Sequence, residues 1–218
     1  MKVGVDSVLL GSWADFSDAS TVIDVGTGTG LLALMAAQKS KAEISAIEID
    51  ENSAKQAQEN FNLSPWKSRI KLIQTSFQNF VVQTDKKYDI AVCNPPYFNN
   101  TYQSPDKSRN IARQNNTLPL PDLFSGTKKI LSQSGKLYII YPYLQKDILL
   151  QEAANHKLYP QKTLEVKPYQ NKIANRIIIC FANNKTKIKT GQLIVKDKQT
   201  GAYCPEYKEL TKEFYLNF

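Results

Sequence analysis

Short β-branched runs alternate with helical stretches along the first two thirds of the chain. The runs that predict strands lie at 21–25, 43–48, 70–75, 88–93 and 136–141. The stretches between them that predict helices include 31–37 and 52–61. Strands that alternate with helices are typical of βαβ units, which build a parallel sheet with helices on both faces. The pattern therefore predicts an α/β fold.

The last third of the chain follows a different pattern. Two closely spaced runs, 164–168 and 176–182, predict an antiparallel end to the sheet. The tail adds a further alternating run at 192–196. The longest stretch without a regular pattern is 94–121, and a loop of that length inside a compact domain is usually functional or mobile. The length of 218 residues predicts a single domain.

Composition narrows the possible functions. The 28 lysines and arginines exceed the 20 acidic residues, which gives a formal net charge of +8 and suits a nucleic-acid partner. The single histidine, His156, excludes a histidine-rich metal site, and the scattered Cys93, Cys180 and Cys204 have neither zinc nor disulfide spacing. No run is long and apolar enough to span a membrane. We expect no metal, and a reducing, cytoplasmic compartment.

A glycine-rich loop joins the first predicted strand to the next helix. It reads Asp24-Val-Gly26-Thr-Gly28-Thr-Gly30, and Glu48 ends the second strand 20 residues beyond Gly28. Glycines let the backbone turn tightly and approach a ligand, and a carboxylate at that place can accept the hydroxyls of a ribose. The spacing differs from the G-x-G-x-x-G of dinucleotide sites. The alternative is a turn that only makes room for packing.

The fourth predicted strand ends in Asn94-Pro95-Pro96-Tyr97. Ligand sites of open α/β sheets lie at this edge, and two prolines make a rigid turn rich in acceptors. The Asn94 side-chain oxygen and the Pro95 carbonyl can accept both N–H groups of an exocyclic amine, which localises its lone pair for methylation. Tyr97 can stack on the base. The alternative is a turn that terminates the strand without chemistry.

The two motifs together resemble the S-adenosylmethionine site of class I methyltransferases. The resemblance implies a Rossmann-like fold with a seven-stranded, mostly parallel sheet, an antiparallel last strand and helices on both faces. It implies that the cofactor is held by Asp24, Gly26, Gly28, Gly30 and Glu48. Ser76, with the backbone N–H of Phe77, stands where the family touches the adenine ring, and a capped turn is the alternative there.

A narrower resemblance runs almost end to end. Residues 1–14 are similar to the M-K-V-G-T-D-G-x-L-L-G-A-W-A opening of bacterial tRNA(Val) (adenine(37)-N6)-methyltransferases, with Val5 and Ser7 in place of Thr and Gly. Residues 94–98 and 109–113 resemble their N-P-P-Y-F and R-x-x-A-R pair. Members of that family have a few tens of residues before this methionine, so either the start lies upstream or the segment has been lost.

This resemblance implies a tRNA substrate, methylated at the adenosine beside the anticodon of a valine tRNA. It implies a partial opening motif at 1–14, a core at 15–184 and an extension on the sheet edge at 185–218. Further contacts follow from the matched motifs: Lys2 and Asp6 near the cofactor carboxylate, and Phe98, Arg109 and Arg113 at the substrate. Arg109 and Arg113 otherwise form a solvated loop face, and Lys2 and Asp6 a solvated terminus.

Other functions remain open at this stage. The Asn-Pro-Pro-Tyr turn also occurs in methyltransferases of DNA adenine and of protein glutamine, and a tRNA-binding module without turnover is a third possibility. Lys185, Lys187 and Lys189 either contact RNA or protect a sheet edge from unwanted pairing. The sequence indicates neither a membrane nor a protein partner.

Overall fold

The computed structural model describes residues 4–96 and 118–215, which form one eight-stranded sheet. The strands are β1 (Thr21–Val25), β2 (Glu43–Glu48), β3 (Ile70–Gln74), β4 (Tyr88–Cys93), β5 (Leu131–Pro142), β6 (Tyr159–Lys167), β7 (Arg176–Ala182) and β8 (Lys189–Ile194). Their order across the sheet is β3-β2-β1-β4-β5-β7-β6-β8. Strands β1 to β5 are parallel, and β7 runs antiparallel to β5 and β6. The predicted α/β class is confirmed.

Seven α-helices in the described parts of the chain cover both faces. They are α1 (Val5–Trp13), α2 (Leu31–Lys39), α3 (Glu51–Leu63), α4 (Phe77–Gln83), α5 (Leu120–Ile130), α6 (Lys146–Asn155) and α7 (Pro205–Thr211). One core cluster joins the sheet to α1, α2, α3 and α7, and a second joins the opposite face to α4, α5 and α6. Two separate cores explain why the central strands are apolar on both faces.

The strand count of seven was wrong by one, because the tail supplies β8. Residues 189–194 bond to the side of β6 that faces away from β7, and they run parallel to β6. The last strand of the chain is therefore parallel, and the antiparallel strand is β7. Pairing with β8 satisfies backbone groups of β6 that would otherwise be left at an open edge. The strand escaped full recognition because its first residues, Lys189-Thr-Gly191, carry little apolar signal.

The opening motif forms a helix, α1, which packs against α2, α7 and β5. Val8, Leu9 and Leu10 are residues of α1 whose side chains are buried. Its C-terminal end is held by one side chain, since the Lys39 ammonium donates to the carbonyls of residues 11, 12 and 14 at 2.6 to 2.9 Å. The end of a helix leaves carbonyls without intrahelical partners, and this lysine satisfies three of them.

The direction of the strands decides which loops meet. The carboxyl ends of β1, β2, β3 and β4 share one edge, so the glycine loop, Glu48, Ser76 and Asn94 come together there. The segment with Lys185, Lys187 and Lys189 connects the end of β7 to the start of β8. Both of those points lie at the opposite edge of the sheet, which places these lysines away from the Asn94 turn.

Candidate active site

A cavity of about 500 Å³ opens at the carboxyl edge of β1, β2 and β4. Its lining combines the glycine loop, the ends of β2 and β3, and the turn after β4. The residues are Val25, Gly26, Gly28, Ile47, Glu48, Ile49, Ser53, Thr75, Ser76, Phe77, Gln78, Cys93, Asn94, Pro95, Pro96 and Leu118. The two motifs that the sequence singled out therefore line the same space. Volumes of roughly 300 to 1,000 Å³ are usual for pockets that bind small molecules.

The three glycines of the loop do different work. Gly26 and Gly28 have φ of 71° and 57°, and a Cβ atom at either would meet nothing within 4 Å. Their backbone is therefore open toward a ligand. Gly30, with φ of 87°, is absent from the cavity lining, and a Cβ there would lie 2.3 Å from Cε1 of Phe61 on α3. Gly30 serves close packing of the loop against α3, the alternative that the sequence left open for the whole loop.

Asp24 is fully buried and does not line the cavity. Its Oδ2 accepts hydrogen bonds from the Thr27 hydroxyl and, at 3.1 Å, from the Ala33 N–H in the first turn of α2. Burial raises the pKa of this carboxyl to about 7, against the lowering effect of those two hydrogen bonds. In this structure Asp24 holds the loop to the helix, and a direct contact with the cofactor stays a prediction.

Glu48 lines the cavity, and its carboxylate accepts hydrogen bonds from three backbone N–H groups. One carboxylate oxygen accepts from the N–H of Gly28 at 2.8 Å, and the other accepts from the N–H groups of Ile49 and Asp50, each at 2.9 Å. A carboxylate offers about four acceptor positions, so these three donors leave one of them for a ligand hydroxyl. The acid that was predicted to bind a ribose thus also joins the glycine loop to the end of β2.

The far side of the cavity is formed by the turn before α4. Ser76 and Phe77 both line it, as expected. The Ser76 hydroxyl, however, accepts from the Asn79 N–H at 3.1 Å and caps α4, which is the alternative reading of this turn. Sequence reasoning missed Ile49, a 41% exposed apolar side chain directly after Glu48. Its position after a strand-ending acid was the signal that could have identified it.

Asn94, Pro95 and Pro96 line the cavity at the end of β4. The Nδ2 of Asn94 donates to the Ser7 hydroxyl of α1 at 2.9 Å. Burial raises the pKa of the preceding Cys93 thiol, which stays protonated as a core residue. Cys93 therefore offers no thiolate nucleophile beside the Asn94 side chain.

Of the remaining predicted site residues, the structure describes Asp6. Asp6 is absent from the cavity lining, and its Oδ2 accepts from Nε of Arg176 at 2.9 Å. This ion pair joins α1 to the start of β7. Lys2, Tyr97, Phe98, Arg109 and Arg113 lie outside the described residues.

Within 4–96 and 118–215, no cluster of three or more His, Cys, Asp or Glu is placed to hold a metal ion. No helix of that part of the chain has the length and hydropathy to cross a bilayer.

Comparison with known proteins agrees with this arrangement. A family model described as the methyltransferase small domain matches residues 4–158. A tRNA1(Val) (adenine(37)-N6)-methyltransferase of Trichodesmium erythraeum is 41% identical, over all of this chain and 92% of the relative. The protein of that name from Parabacteroides distasonis is 40% identical, over 99% of this chain and 91% of the relative. The chain belongs to their family. The narrower resemblance read from the sequence is thereby confirmed.

Solved structures agree with the family's fold at much lower identity. A protein described as a predicted O-methyltransferase from Agrobacterium tumefaciens superposes with a TM-score of 0.75, at 17% identity, covering 95% of this chain and 96% of its own. A methyltransferase from Pyrococcus furiosus gives a TM-score of 0.59 at 17% identity, with 82% and 81% covered. These neighbours confirm the Rossmann-like class I methyltransferase architecture.

Proposed function

We propose that this methyltransferase transfers the methyl group of S-adenosylmethionine to N6 of an adenine in tRNA, at the position beside the anticodon of a valine tRNA. One observation carries the proposal. Asn94, Pro95 and Glu48 line one cavity at the carboxyl edge of the sheet. A methyl donor held by Glu48 and an amine held by Asn94 would therefore meet in the same space.

The residues of the cavity fit S-adenosylmethionine. One of its ribose hydroxyls matches the remaining acceptor position of Glu48, and the open backbone at Gly26 and Gly28 leaves room for the part next to the ribose. The exposed side chain of Ile49 and the apolar wall at Phe77 suit the faces of an adenine ring. When bound, this cofactor supplies an electrophilic methyl group on a sulfonium sulfur.

The work of the chain's own residues is to prepare the amine. Oδ1 of Asn94 and the carbonyl oxygen of Pro95 each accept one N–H of the adenine amine, which turns its lone pair out of conjugation with the ring. These acceptors gain strength as positive charge develops on the nitrogen, so they stabilise the transition state more than the substrate. The nitrogen becomes acidic as it gains the methyl group and positive charge, so one of its protons can pass to water at the turn and no strong base is required.

Two features support tRNA as the substrate class. The relatives that cover the full chain are named for methylation of tRNA1(Val), and the net charge of +8 suits a polyanion. An anticodon loop has unpaired bases, which lowers the cost of moving the target base into a cavity. The cytoplasm is the compartment proposed, in line with the free thiols of Cys93, Cys180 and Cys204.

The test is methyl transfer from labelled S-adenosylmethionine to unmodified bulk tRNA, with the nucleosides digested and identified. Asn94→Ala is the variant, and Asn155→Ala is its control because Asn155 is exposed at the end of α6. We expect N6-methyladenosine from the wild type and the control. Loss of one preorganised acceptor should slow Asn94→Ala by about 10² to 10³-fold, or roughly 3 to 4 kcal/mol.

Two results would refute parts of the proposal. If Asn94→Ala turns over as fast as the wild type, the Asn94 mechanism is wrong. If the wild type binds S-adenosylmethionine but methylates no tRNA nucleoside, the proposed substrate is wrong. DNA adenine and protein glutamine are then the next substrates to assay. Weak cofactor binding with no product would indicate a tRNA-binding module instead of an enzyme.

A further inference from the structure

The side chain of Asn94 makes a contact with a helix that precedes it by a long stretch of sequence. Its Nδ2 donates to the hydroxyl of Ser7, a residue 87 positions earlier in α1. We propose that Ser7 is a positioning residue for methyl transfer, which fixes the orientation of the Asn94 carboxamide. This inference rests on the proposed function and adds a residue to it. Neither the glycine loop nor the Asn-Pro-Pro-Tyr turn indicates such a role for Ser7.

The orientation matters because the two ends of a carboxamide are chemical opposites. Oδ1 accepts hydrogen bonds and Nδ2 donates them, so only Oδ1 can receive an N–H of the substrate amine. A reversed carboxamide would present donor to donor and repel the amine. A hydroxyl can donate as well as accept, and in this structure it accepts from Nδ2, so that Oδ1 is on the side away from α1 and the hydrogen bond restrains the carboxamide in that orientation. A side chain that is restrained in this way is more often in the orientation that can bind the substrate amine.

Ser7 can hold Asn94 only if α1 itself is fixed, and the structure fixes it at both ends. At the N-terminal end, the neighbouring Asp6 pairs with Arg176 at 2.9 Å. At the C-terminal end, Lys39 donates to three carbonyls. Between them Leu9 and Leu10 are buried in the core cluster that joins α1 to the sheet. A hydrogen bond from a rigid element restrains its partner more than one from a loop does.

The proposal is specific about what removal of the hydroxyl does. Ser7→Ala leaves the helix and its packing in place but removes the acceptor for Nδ2. The carboxamide is then less strongly restrained, and a smaller fraction of bound substrate meets Oδ1. We expect the chemical step to slow about 10-fold, equivalent to about 1.4 kcal/mol, while binding of S-adenosylmethionine and of tRNA is unchanged. A residue needed only for folding would lower stability and binding as well.

The experiment measures single-turnover methylation of unmodified tRNA for the wild type, Ser7→Ala, Ser7→Thr and Ser12→Ala. Ser7→Thr keeps the hydroxyl. Ser12 is the matched control, since it lies on the same helix and its buried hydroxyl has no hydrogen-bond partner among the described residues. The dissociation constants for S-adenosylmethionine and tRNA and the Tm are measured on the same four proteins.

The expected result is a 10-fold slower step for Ser7→Ala alone, with Ser7→Thr within threefold of the wild type and all dissociation constants within twofold. The proposal is overturned if Ser7→Ala reacts within twofold of the wild type, or if Ser7→Thr is as slow as Ser7→Ala. Failure of the proposed function is a separate outcome, because it appears as a wild-type protein that forms no N6-methyladenosine in tRNA.

Discussion

Glu48 offers the sharpest test of how the cofactor cavity is built. Its carboxylate accepts three backbone N–H groups, from Gly28 on one oxygen and from Ile49 and Asp50 on the other. Glu48→Gln keeps the size of the side chain but turns one acceptor oxygen into a donor NH₂. The less costly orientation keeps the amide oxygen on Ile49 and Asp50 and places the NH₂ opposite the Gly28 N–H.

The magnitude follows from the bonds that are lost. A hydrogen bond to a charged group contributes about 1.5 to 3 kcal/mol, and Gly28 loses such a bond in the variant. A ribose hydroxyl loses the negative charge of its acceptor as well. We expect the dissociation constant for S-adenosylmethionine to rise about 30-fold, equivalent to about 2 kcal/mol. The Tm of the free protein should fall by a few degrees, since about 1 kcal/mol shifts a chain of this size by roughly 2 to 4 °C.

Isothermal titration with S-adenosylmethionine and a thermal unfolding curve measure both effects. Glu43→Gln is the control, because Glu43 begins the same strand and is exposed, with only a surface pair to Lys86 at 3.3 Å. The control should match the wild type. A Glu48→Gln protein whose affinity and Tm are both unchanged would refute the view that this carboxylate organises the loop and binds the ribose.

Two further predictions concern the glycine loop. Because the pKa of Asp24 is raised from 3.8 to about 7, the folded protein binds a proton between those values that the unfolded chain does not, and stability falls as pH rises through this window. Asp24→Asn should remove this loss of unfolding free energy, which amounts to up to about 4 kcal/mol. In urea unfolding, the free energy of unfolding of the variant relative to the wild type should therefore be higher at pH 8 than at pH 4.5. The same pH dependence in both proteins would contradict the prediction. Gly30→Ala should lower the free energy of unfolding by about 1 to 3 kcal/mol more than Gly26→Ala does. Both glycines have positive φ, but only a Cβ atom at residue 30 would collide with the Phe61 ring. Equal Tm values for these two variants would contradict the packing role of Gly30.

The core of the cavity could be predicted from local patterns. A buried strand, a glycine loop and a helix follow one another without interruption, and the acid 20 residues beyond Gly28 comes at the end of the adjacent parallel strand. Parallel neighbours bring their carboxyl ends together, so the nearness of the glycine loop to Glu48 follows from strand order, whereas the hydrogen bond between Gly28 and Glu48 is a finding of the structure. The same reasoning placed Asn94 beside them.

The features that escaped prediction depend on the third dimension. A polar residue near a strand end suggests a ligand contact, but in this structure Asp24 is buried and its Oδ2 accepts from Thr27 and Ala33. The need for glycine at residue 30 comes from Phe61, which no local pattern connects to it. The pairing of Ser7 with Asn94 joins residues 87 positions apart, and periodicity carries no information about such a pair.

The place of α1 has a consequence for how the chain matures during synthesis. This helix precedes β1 in the chain, yet it packs against α7, and its Asp6 pairs with Arg176, 170 residues later. On the ribosome, α1 can pack against α2 early, whereas its contacts with β5, Arg176 and α7 can form only later. The packing of the helix that contacts Asn94 is therefore complete only after α7 has emerged, so a nascent chain can form β1 to β4 and the glycine loop before the surroundings of the catalytic turn are finished.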